Sequence, residues 1–378
     1  MPFSNYRKLF PITTQKIYLN HAAISPLSTR VTDAIDWYLN ERSFGSVDVY
    51  KQVMDVRESA RNNVATLINA RPEQIAFIGN TSEGLNWLAN GLEWKEGDQI
   101  ILTDYEFPSN VYPFKNLERL GVEIVHVKNR DGLILLEDIE AAITDRTRLL
   151  SISFVEFSNG FRNNLDIIGA LCRENGIIFS VDSIQGAGAI PLDVEKSHID
   201  FISNGGHKWL MGTMGTGFMY VRKDLFDELT PAFTGWLAVE DAWNFFDYKL
   251  DLLPDSRRFE YGTANFLGIT ALNTSVGLLL EAGIPHIEKH LLKLGLELIS
   301  GFEEYGCSFL STHDPKYWSG IYSFAGPNME DLFEHLMKKD IICSLRNGNL
   351  RIAPHFYNNM DEIRELLDEV GKWKKNKK

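Results

Sequence analysis

The sequence predicts an α/β protein with a large domain built on a mostly parallel, seven-stranded sheet and a smaller C-terminal α+β domain. Three observations support this fold class. Between residues 75 and 221, short apolar runs alternate with segments of helical periodicity. From about residue 265, two long helical stretches replace that alternation. The chain has 378 residues, and single cores stop growing at about 250 to 300 residues, so we expect two domains.

The predicted strands are short runs rich in Ile, Val and Phe on both faces, which is typical of strands buried inside a parallel sheet. The segments between them have helical periodicity: in Asp166 to Glu174, Ile167, Ala170 and Leu171 fall on one apolar face. Such alternating layers define an α/β domain. The seven strands are Ile75 to Ile78, Gln99 to Thr103, Val122 to Val127, Leu149 to Phe154, Ile177 to Val181, Ile199 to Ser203 and Gly217 to Val221.

The C-terminal part has a different pattern, with predicted helices at Phe266 to Glu281 and Ile284 to Phe302 followed by shorter strand and helix signals. The segment 231–260, which precedes it, is rich in Trp, Phe and Asp and has no clear period. It predicts an ordered excursion over the surface or into an interface. The expected division is an N-terminal arm (1–30), a large α/β domain (31–264) and a small α+β domain (265–378).

Composition and charge restrict the classes of partner. The formal net charge of −13 argues against a nucleic-acid surface, because phosphate binding needs clustered Lys and Arg. No signal peptide and no run of about 20 apolar residues is visible, so no membrane association is expected. Cys172, Cys307 and Cys343 stand far apart without CxxC spacing. We therefore predict no disulfide framework, no metal site and a cytoplasmic location.

A candidate reactive lysine lies in the segment Asn204-Gly205-Gly206-His207-Lys208, directly after the predicted strand that ends at Ser203. A lysine that attacks an aldehyde must stand at the end of a rigid element and be partly desolvated, so that its amine is neutral often enough to react. The glycines would let the backbone approach a bulky ring closely. Taken alone, the pattern favours a surface lysine in a turn, and its weight as a reactive site comes from the other motifs.

An aspartate, Asp182, ends the apolar strand Ile177 to Val181, and Gln185 follows three residues later. The carboxyl ends of parallel strands face the ligand crevice, so a carboxylate there is placed to pair with a pyridinium nitrogen. Such a pairing keeps the ring protonated and makes it an electron sink. The alternative is that Asp182 and Gln185 form a capping box that starts a helix.

A small polar turn, Gly79 to Gly84, separates the strand Ile75 to Ile78 from the apolar helical run Leu85 to Leu92. A strand, a polar turn and a helix start together present backbone N–H groups and hydroxyls to an anion such as a phosphate. Asn80 and Glu83 also form a capping-box pattern, and the two roles are compatible.

Five motifs in order along the chain resemble those of the class V aminotransferases, a family of fold type I enzymes that use pyridoxal 5'-phosphate (PLP). The resemblance extends over nearly the whole chain. It implies a PLP-dependent enzyme that acts at the α-carbon of an amino acid, as a homodimer with its active site at the interface. The motifs are Asn80-Thr81-Ser82-Glu83-Gly84, Val181-Asp182-Ser183-Ile184-Gln185, Gly206-His207-Lys208, Arg258-Phe259-Glu260-Tyr261-Gly262-Thr263 and Leu350-Arg351-Ile352-Ala353-Pro354.

The resemblance also implies a role for each matched residue. Lys208 is expected to carry PLP as a Schiff base and to move the α-proton, and Asp182 to stabilise the pyridinium. Gln185 is expected to hydrogen-bond the phenolic oxygen, and Arg351 to bind the substrate carboxylate as a bidentate fork. The expected phosphate ligands are Thr81, Ser82 and His207, joined across the dimer interface by Thr263.

Two departures separate this sequence from the cysteine desulfurases of the family. Phe107 stands where those enzymes carry a histidine over the cofactor ring, and it could stack on the ring but not transfer a proton. The turn between Arg346 and Arg351 holds no thiol, although a desulfurase needs a nucleophilic cysteine there. Cys343 falls in a strand pattern and is expected to be a buried hydrophobe.

We therefore expect transamination or epimerisation, as in isopenicillin N epimerase-like proteins. A cysteine desulfurase-like or kynureninase-like lyase is the alternative. A nucleotide-binding enzyme would use the glycine-rich run 212–217, but a strand pattern follows that run where a fingerprint needs a helix. A non-catalytic scaffold with this fold is a further alternative, against which the set of Lys208, Asp182 and Arg351 argues.

Three further polar residues have open roles. Glu156 would reach the phenolic side of the cofactor or be structural. Arg162 would meet a substrate carboxylate or pair with an acid at the surface. His21 would lie near the substrate entrance or cap a helix.

Overall fold

The computed structural model describes residues 3–377. Its α-helices are α1 (Ser4–Arg7), α2 (Thr29–Ser43), α3 (Tyr50–Ile68), α4 (Thr81–Gly91), α5 (Tyr112–Lys115), α6 (Leu136–Ala142), α7 (Leu165–Glu174), α8 (Phe266–Ala282), α9 (Ile284–Glu304), α10 (Met329–Met337) and α11 (Met360–Lys375). Its strands are β1 (Ile17–Tyr18), β2 (Ile75–Ile78), β3 (Gln99–Thr103), β4 (Glu123–Val127), β5 (Thr147–Ser153), β6 (Ile178–Asp182), β7 (Phe201–Gly205), β8 (Gly217–Val221), β9 (Ser308–Phe309), β10 (Tyr322–Ala325), β11 (Ile341–Ile342), β12 (Ser344–Arg346) and β13 (Asn349–Ile352).

The central sheet has seven strands in the order β2-β8-β7-β6-β5-β3-β4. Strand β8 runs antiparallel to both of its neighbours, and the other pairs are parallel. Every residue of β2, β3, β7 and β8 is buried, which explains why these strands read as continuous apolar runs. The predicted fold class, an α/β layer on a mostly parallel seven-stranded sheet, is confirmed.

The predicted apolar face of helix α7 is wrong. Ile167 is 48% exposed, and the buried side of the helix carries Ile168 and Cys172. Gly169 explains the choice of face, because a Cβ there would lie 1.8 Å from the backbone oxygen of Ser197. The helix therefore packs the side that contains its glycine against neighbouring backbone, a contact that hydrophobic periodicity does not reveal.

The C-terminal part contains a second antiparallel sheet, in the order β12-β13-β10-β9. Helices α9, α10 and α11 supply its core with residues such as Phe302, Leu332 and Leu366. Helix α8 instead contributes Ile269 and Val276 to the core of the large sheet. The division into an arm, a large domain and a small domain stays a proposal.

The two ends of the chain meet in this part of the molecule, because β1 pairs in parallel with β11. Within residues 3–377, no single helix is long and apolar enough to cross a membrane. Helices α8 and α9 reach the necessary length and composition only as a pair, and that pair is bent by 75°.

Residues 231–260, which we call the aromatic segment, follow the surface as the sequence predicted. They contain no α-helix and no strand; their regular structure is a single bridge between Val239 and Leu252 and a 3-10 helix at Ser256–Phe259. Trp243, Phe246 and Tyr248 are 61%, 91% and 89% exposed. Such a concentration of exposed rings on one segment is typical of an interaction surface.

Candidate active site

A pocket of about 310 Å³ lies where β6 and β7 end, at the carboxyl edge of the sheet. Eight of the nine site residues expected from the sequence line it: Thr81, Ser82, Phe107, Asp182, Gln185, His207, Lys208 and Arg351. The ninth, Thr263, is exposed and does not line the pocket of its own chain. Residues from four of the five motifs, together with Phe107, thus lie around one pocket at the carboxyl edge of the sheet, as expected for a ligand site in an α/β fold.

The turn that carries Lys208 is fixed by backbone contacts. Gly206 N–H donates to the Thr216 carbonyl (2.8 Å), and the Lys208 carbonyl accepts from Met211 N–H (2.9 Å). A Cβ on Gly206 would lie 2.8 Å from the Thr216 oxygen. The close approach of the loop before β8 therefore favours glycine at position 206.

Asp182 and Lys208 are two desolvated groups of opposite charge that line the pocket. Burial raises the pKa of Asp182, while burial and the nearby Arg351 lower the pKa of Lys208. Their mutual attraction opposes both shifts. A lysine with a lowered pKa has a larger neutral fraction at neutral pH, which a nucleophilic or basic amine requires.

Asp182 does not begin a helix, so the capping-box alternative is excluded. Its Oδ1 accepts from the backbone N–H of Ile184 (3.0 Å). The Gln185 side chain hydrogen-bonds to residues other than Asp182: its Nε2 donates to the Ala22 carbonyl (3.0 Å), and its Oε1 accepts from Trp209 Nε1 (2.8 Å). Gln185 lines the pocket, and these contacts use only one of its two amide N–H groups.

The start of helix α4 forms the polar end of the pocket. Asn80 caps the helix, since its Oδ1 accepts from Glu83 N–H (3.0 Å), and Glu83 Oε2 accepts from Gly79 N–H (2.7 Å). Thr81 Oγ1 is buried without a hydrogen-bond partner within the described residues. A buried, unpaired hydroxyl beside free helical N–H groups fits an anionic ligand such as the phosphate of PLP.

Two phenylalanines form an apolar side of the pocket above Lys208. Phe107 and Phe157 meet edge to face, with ring centroids 5.2 Å apart. Lys208 Nζ lies 5.5 Å from the Phe107 centroid. A flat ring held by Lys208 would therefore lie against Phe107, an arrangement that suits the pyridine ring of PLP.

His207 lines the polar end of the pocket, next to Lys208. Burial, and then the charge of Lys208, lower the pKa of His207. The imidazole is therefore neutral at pH 7, and it would meet a phosphate through an N–H group and not as a cation.

Arg351 projects into the pocket from β13. Its Nε donates to Ser344 Oγ (3.1 Å) and its Nη1 to the Phe157 carbonyl (2.6 Å), whereas Nη2 is buried without a partner in residues 3–377. Burial lowers the pKa of Arg351, yet a guanidinium remains protonated at neutral pH. The unpaired, buried Nη2 is a ready donor to a substrate carboxylate.

Arg346, which was not among the site residues expected from the sequence, also lines the pocket. The available signal was the dipeptide Asn347-Gly348, a strong hairpin marker. Both residues have positive φ, 48° and 77°, as a two-residue hairpin turn requires. That turn places Arg346 opposite Asn349 and hence beside Arg351.

The residues with open roles lie away from the pocket. Glu156 is buried, and its Oε1 accepts from Asn163 Nδ2 (2.9 Å). Arg162 pairs with Glu288 (2.5 Å), so of its two expected roles it has the ion pair with an acid. His21 is neither at an entrance nor a cap: it is fully buried between the Ala353 carbonyl (2.7 Å) and the Tyr357 hydroxyl (2.8 Å).

The three cysteines are free, buried and absent from the pocket lining. Burial raises the pKa of Cys343 to about 12, so its thiol is protonated and inert at neutral pH. The expectation that Cys343 is a buried hydrophobe is therefore confirmed. In the described part of the chain, no three or more His, Cys, Asp or Glu side chains are grouped to hold a metal ion.

A lysine and an aspartate at the carboxyl edge of a parallel sheet, next to an anion-binding helix start, define the site of a fold type I PLP-dependent enzyme. The comparisons with known proteins agree. A family model described as Aminotransferase class-V matches residues 17–353. This chain therefore belongs to the class V aminotransferase family, and the predicted family and PLP dependence are confirmed.

Individual relatives carry different names. The chain is 29% identical to an uncharacterized aminotransferase of Bacillus subtilis, over 97% of this chain and 96% of the relative. It is 32% identical to a probable cysteine desulfurase of Pyrococcus abyssi, over 96% and 95%. Among solved structures, the apo cysteine desulfurase of Thermococcus onnurineus superposes with a TM-score of 0.91 at 29% identity, covering 98% of both chains.

Proposed function

We propose that this enzyme transaminates or epimerises an amino acid and does not transfer sulfur from cysteine. The observation that carries the proposal is that no thiol lines the pocket, while Cys343 is buried with its pKa raised to about 12. Sulfur transfer through the enzyme needs a thiolate that can reach the substrate. Phe107, which stands over Lys208, has no proton to give.

The pocket residues have complementary tasks in this proposal. When bound, PLP withdraws electrons from the α-carbon of an attached amino acid. Asp182 holds the proton on the pyridine nitrogen, and Arg351 orients the substrate through its carboxylate. Lys208 moves the proton at the α-carbon, for which its lowered pKa suits it.

The remaining lining residues position the cofactor. Thr81, Ser82 and His207 hold the phosphate at the start of α4, and Gln185 reaches the phenolic oxygen with its free amide N–H. Phe107 packs on the ring and excludes water from that face. Each of these roles is an assignment from the pocket geometry and the family resemblance.

A PLP-dependent lyase is the second candidate, and the names of the relatives favour it. Probable cysteine desulfurases of two archaea are 32% and 30% identical to this chain over at least 95% of both sequences. Elimination at the β-carbon also begins with removal of the α-proton, and it needs no enzyme thiol. The two candidates therefore share the same residues and differ in their products.

The choice between these reactions can be tested by product analysis with the purified enzyme. We expect keto-acid formation or loss of α-deuterium from some members of an amino-acid panel, and no sulfide or persulfide from cysteine. Replacing Cys343 with alanine should leave turnover within about twofold of the wild type, because a buried, protonated thiol takes no part in the reaction.

Cys172→Ala is the matched control, because that thiol is also buried in a core with a pKa raised to about 12. Robust sulfide release that is lost in Cys343→Ala and kept in Cys172→Ala would contradict the proposal. Sulfide release that survives both substitutions would favour the lyase.

We further propose that the enzyme is a cytoplasmic homodimer. Three free cysteines fit a reducing compartment. Thr263 is exposed on the surface and absent from its own pocket, as expected of a residue that completes the site of a partner copy. The exposed rings of the aromatic segment would cover such an interface.

Light scattering at micromolar concentration should return twice the chain mass of 43.0 kDa. Phe246→Asp should weaken the dimer at least tenfold, because a charge would then replace a 91% exposed ring in the expected interface. Leu296→Asp, at a 57% exposed position on α9, is the control and should leave the mass unchanged. A wild-type monomer with full cofactor occupancy would disprove the dimer.

A further inference from the structure

Two arginines project from one face of the β12–β13 hairpin. In that hairpin Arg346 pairs with Asn349, and Ser344 pairs with Arg351. Residues directly opposite each other share a face, and so do residues two apart on one strand. Arg346 and Arg351 are therefore diagonal neighbours, roughly 7 to 8 Å apart, and both line the pocket.

Neither arginine has an acidic partner within residues 3–377. Arg351 donates to Ser344 Oγ and to the Phe157 carbonyl, and its buried Nη2 has no partner. Arg346 donates only to the carbonyl of Leu345 (3.1 Å). The pocket lining contains a single acid, Asp182, which faces Lys208. The protein thus holds two guanidinium groups side by side without compensating charge.

Two unpaired guanidinium groups repel each other, and a ligand with two negative groups would offset that repulsion. One carboxylate needs at most one guanidinium fork, because a bidentate pair already uses both of its oxygens. Arg351 is the deeper of the two and has a buried free donor, so it suits the α-carboxylate. Arg346 lies at the exposed rim, where the far end of a substrate side chain would reach.

We propose that Arg346 binds an anionic group at the end of the substrate side chain, so that the enzyme prefers amino acids with acidic side chains. This inference rests on the proposed function, because it takes Arg351 as the site of the α-carboxylate. Dicarboxylic amino acids such as aspartate and glutamate have the chemistry that the pair would recognise.

The test compares acidic amino acids with their uncharged amides on the purified holoenzyme. Dissociation constants for L-aspartate, L-asparagine, L-glutamate and L-glutamine are measured by calorimetry and by the change in cofactor absorbance. We expect at least one acid to bind about tenfold to hundredfold more tightly than its amide, the range of a charge-assisted pair. Arg346→Gln should reduce that ratio to near one while changing amide binding less than twofold.

Three further variants make the result specific. Arg346→Lys should keep part of the preference, because it retains the charge but loses the fork. Arg351→Gln should weaken all four ligands. Arg119→Gln, an exposed arginine on another surface, should change none of them. Melting temperatures of all variants establish that each is folded.

The outcomes separate the inference from the proposed function. Equal affinity of wild-type enzyme for acids and amides overturns the role of Arg346. An equal loss for both classes in Arg346→Gln also overturns it, because Arg346 would then share the α-carboxylate with Arg351. Either result leaves amino-acid binding intact. If none of the four ligands nor any other amino acid perturbs the cofactor, the proposed function fails as well.

Discussion

Replacing Lys208 with alanine will lower turnover by at least about 10³-fold, the scale on which a positioned acid-base group contributes to catalysis. The alanine removes the only amine among the residues that line the pocket. It also removes the point at which borohydride would fix PLP to the chain. Steady-state kinetics and peptide mapping after borohydride reduction measure the two effects.

Lys223→Ala is the control for this substitution. That lysine is exposed and lies just after β8, at the opposite edge of the sheet from Lys208. It should keep both the activity and the label on Lys208. A borohydride-fixed label on a different lysine in the wild type would show that the cofactor is attached elsewhere.

Replacing Glu260 with glutamine will lower the free energy of unfolding by about 3 kcal/mol or more, the cost of removing one partner from a buried ion pair. The Glu260 carboxylate is buried and accepts from Phe77 N–H (2.9 Å), from Arg61 Nη1 (2.8 Å) and from Arg57. The substitution leaves the buried Arg57 without an anionic partner, and the buried Arg61 keeps only the half-exposed Glu58 (3.2 Å). Denaturant titration of the holoenzyme measures the loss.

The matched control is Glu123→Gln, which breaks a surface pair with Arg146 (2.9 Å) in which both side chains are about half exposed. Its cost should stay below about 1 kcal/mol. Equal losses for the two variants would mean that the buried cluster does not contribute as its contacts indicate.

The same cluster predicts a pH dependence. Burial alone would raise the pKa of Glu260, but Arg61 and Arg57 lower it further than burial raises it, to below its ordinary value of 4.5. A carboxyl whose folded pKa is depressed contributes stability above its unfolded pKa and loses it as pH falls through the folded pKa. The difference in stability between wild type and Glu260→Gln should therefore shrink below about pH 4.5.

The central sheet was predictable because strands buried on both faces are recognisable by composition alone. Strands β2, β3 and β8 have the bounds that their apolar runs predicted. Asp182 and Lys208 were predictable for a related reason, since topology brings the carboxyl ends of neighbouring strands to one edge. No contact had to be known in advance.

Features that depend on contacts between distant segments were not predictable. The buried face of α7 is chosen by the approach of Gly169 to Ser197. Arg346 enters the pocket only through the register of a hairpin. The position of His21 is set by Ala353 and Tyr357, more than 300 residues later in the chain. Local sequence patterns contain no information about such partners.

The pairing of β1 with β11 has a consequence for the biosynthesis of the enzyme. Tyr18 pairs with Ile342, so β1 finds its partner only after roughly 320 more residues have been made. At about 5 to 20 residues per second, that wait is on the order of tens of seconds. Until then β1 has no partner strand to fix the segment that follows it, in which Ser25 N–H donates to the His207 carbonyl. Arg351, which lines the pocket, has not yet been made. A nascent chain that has already folded its large sheet would therefore still lack the substrate-binding side of the pocket, and cofactor capture in the final geometry has to wait until β13 has been made.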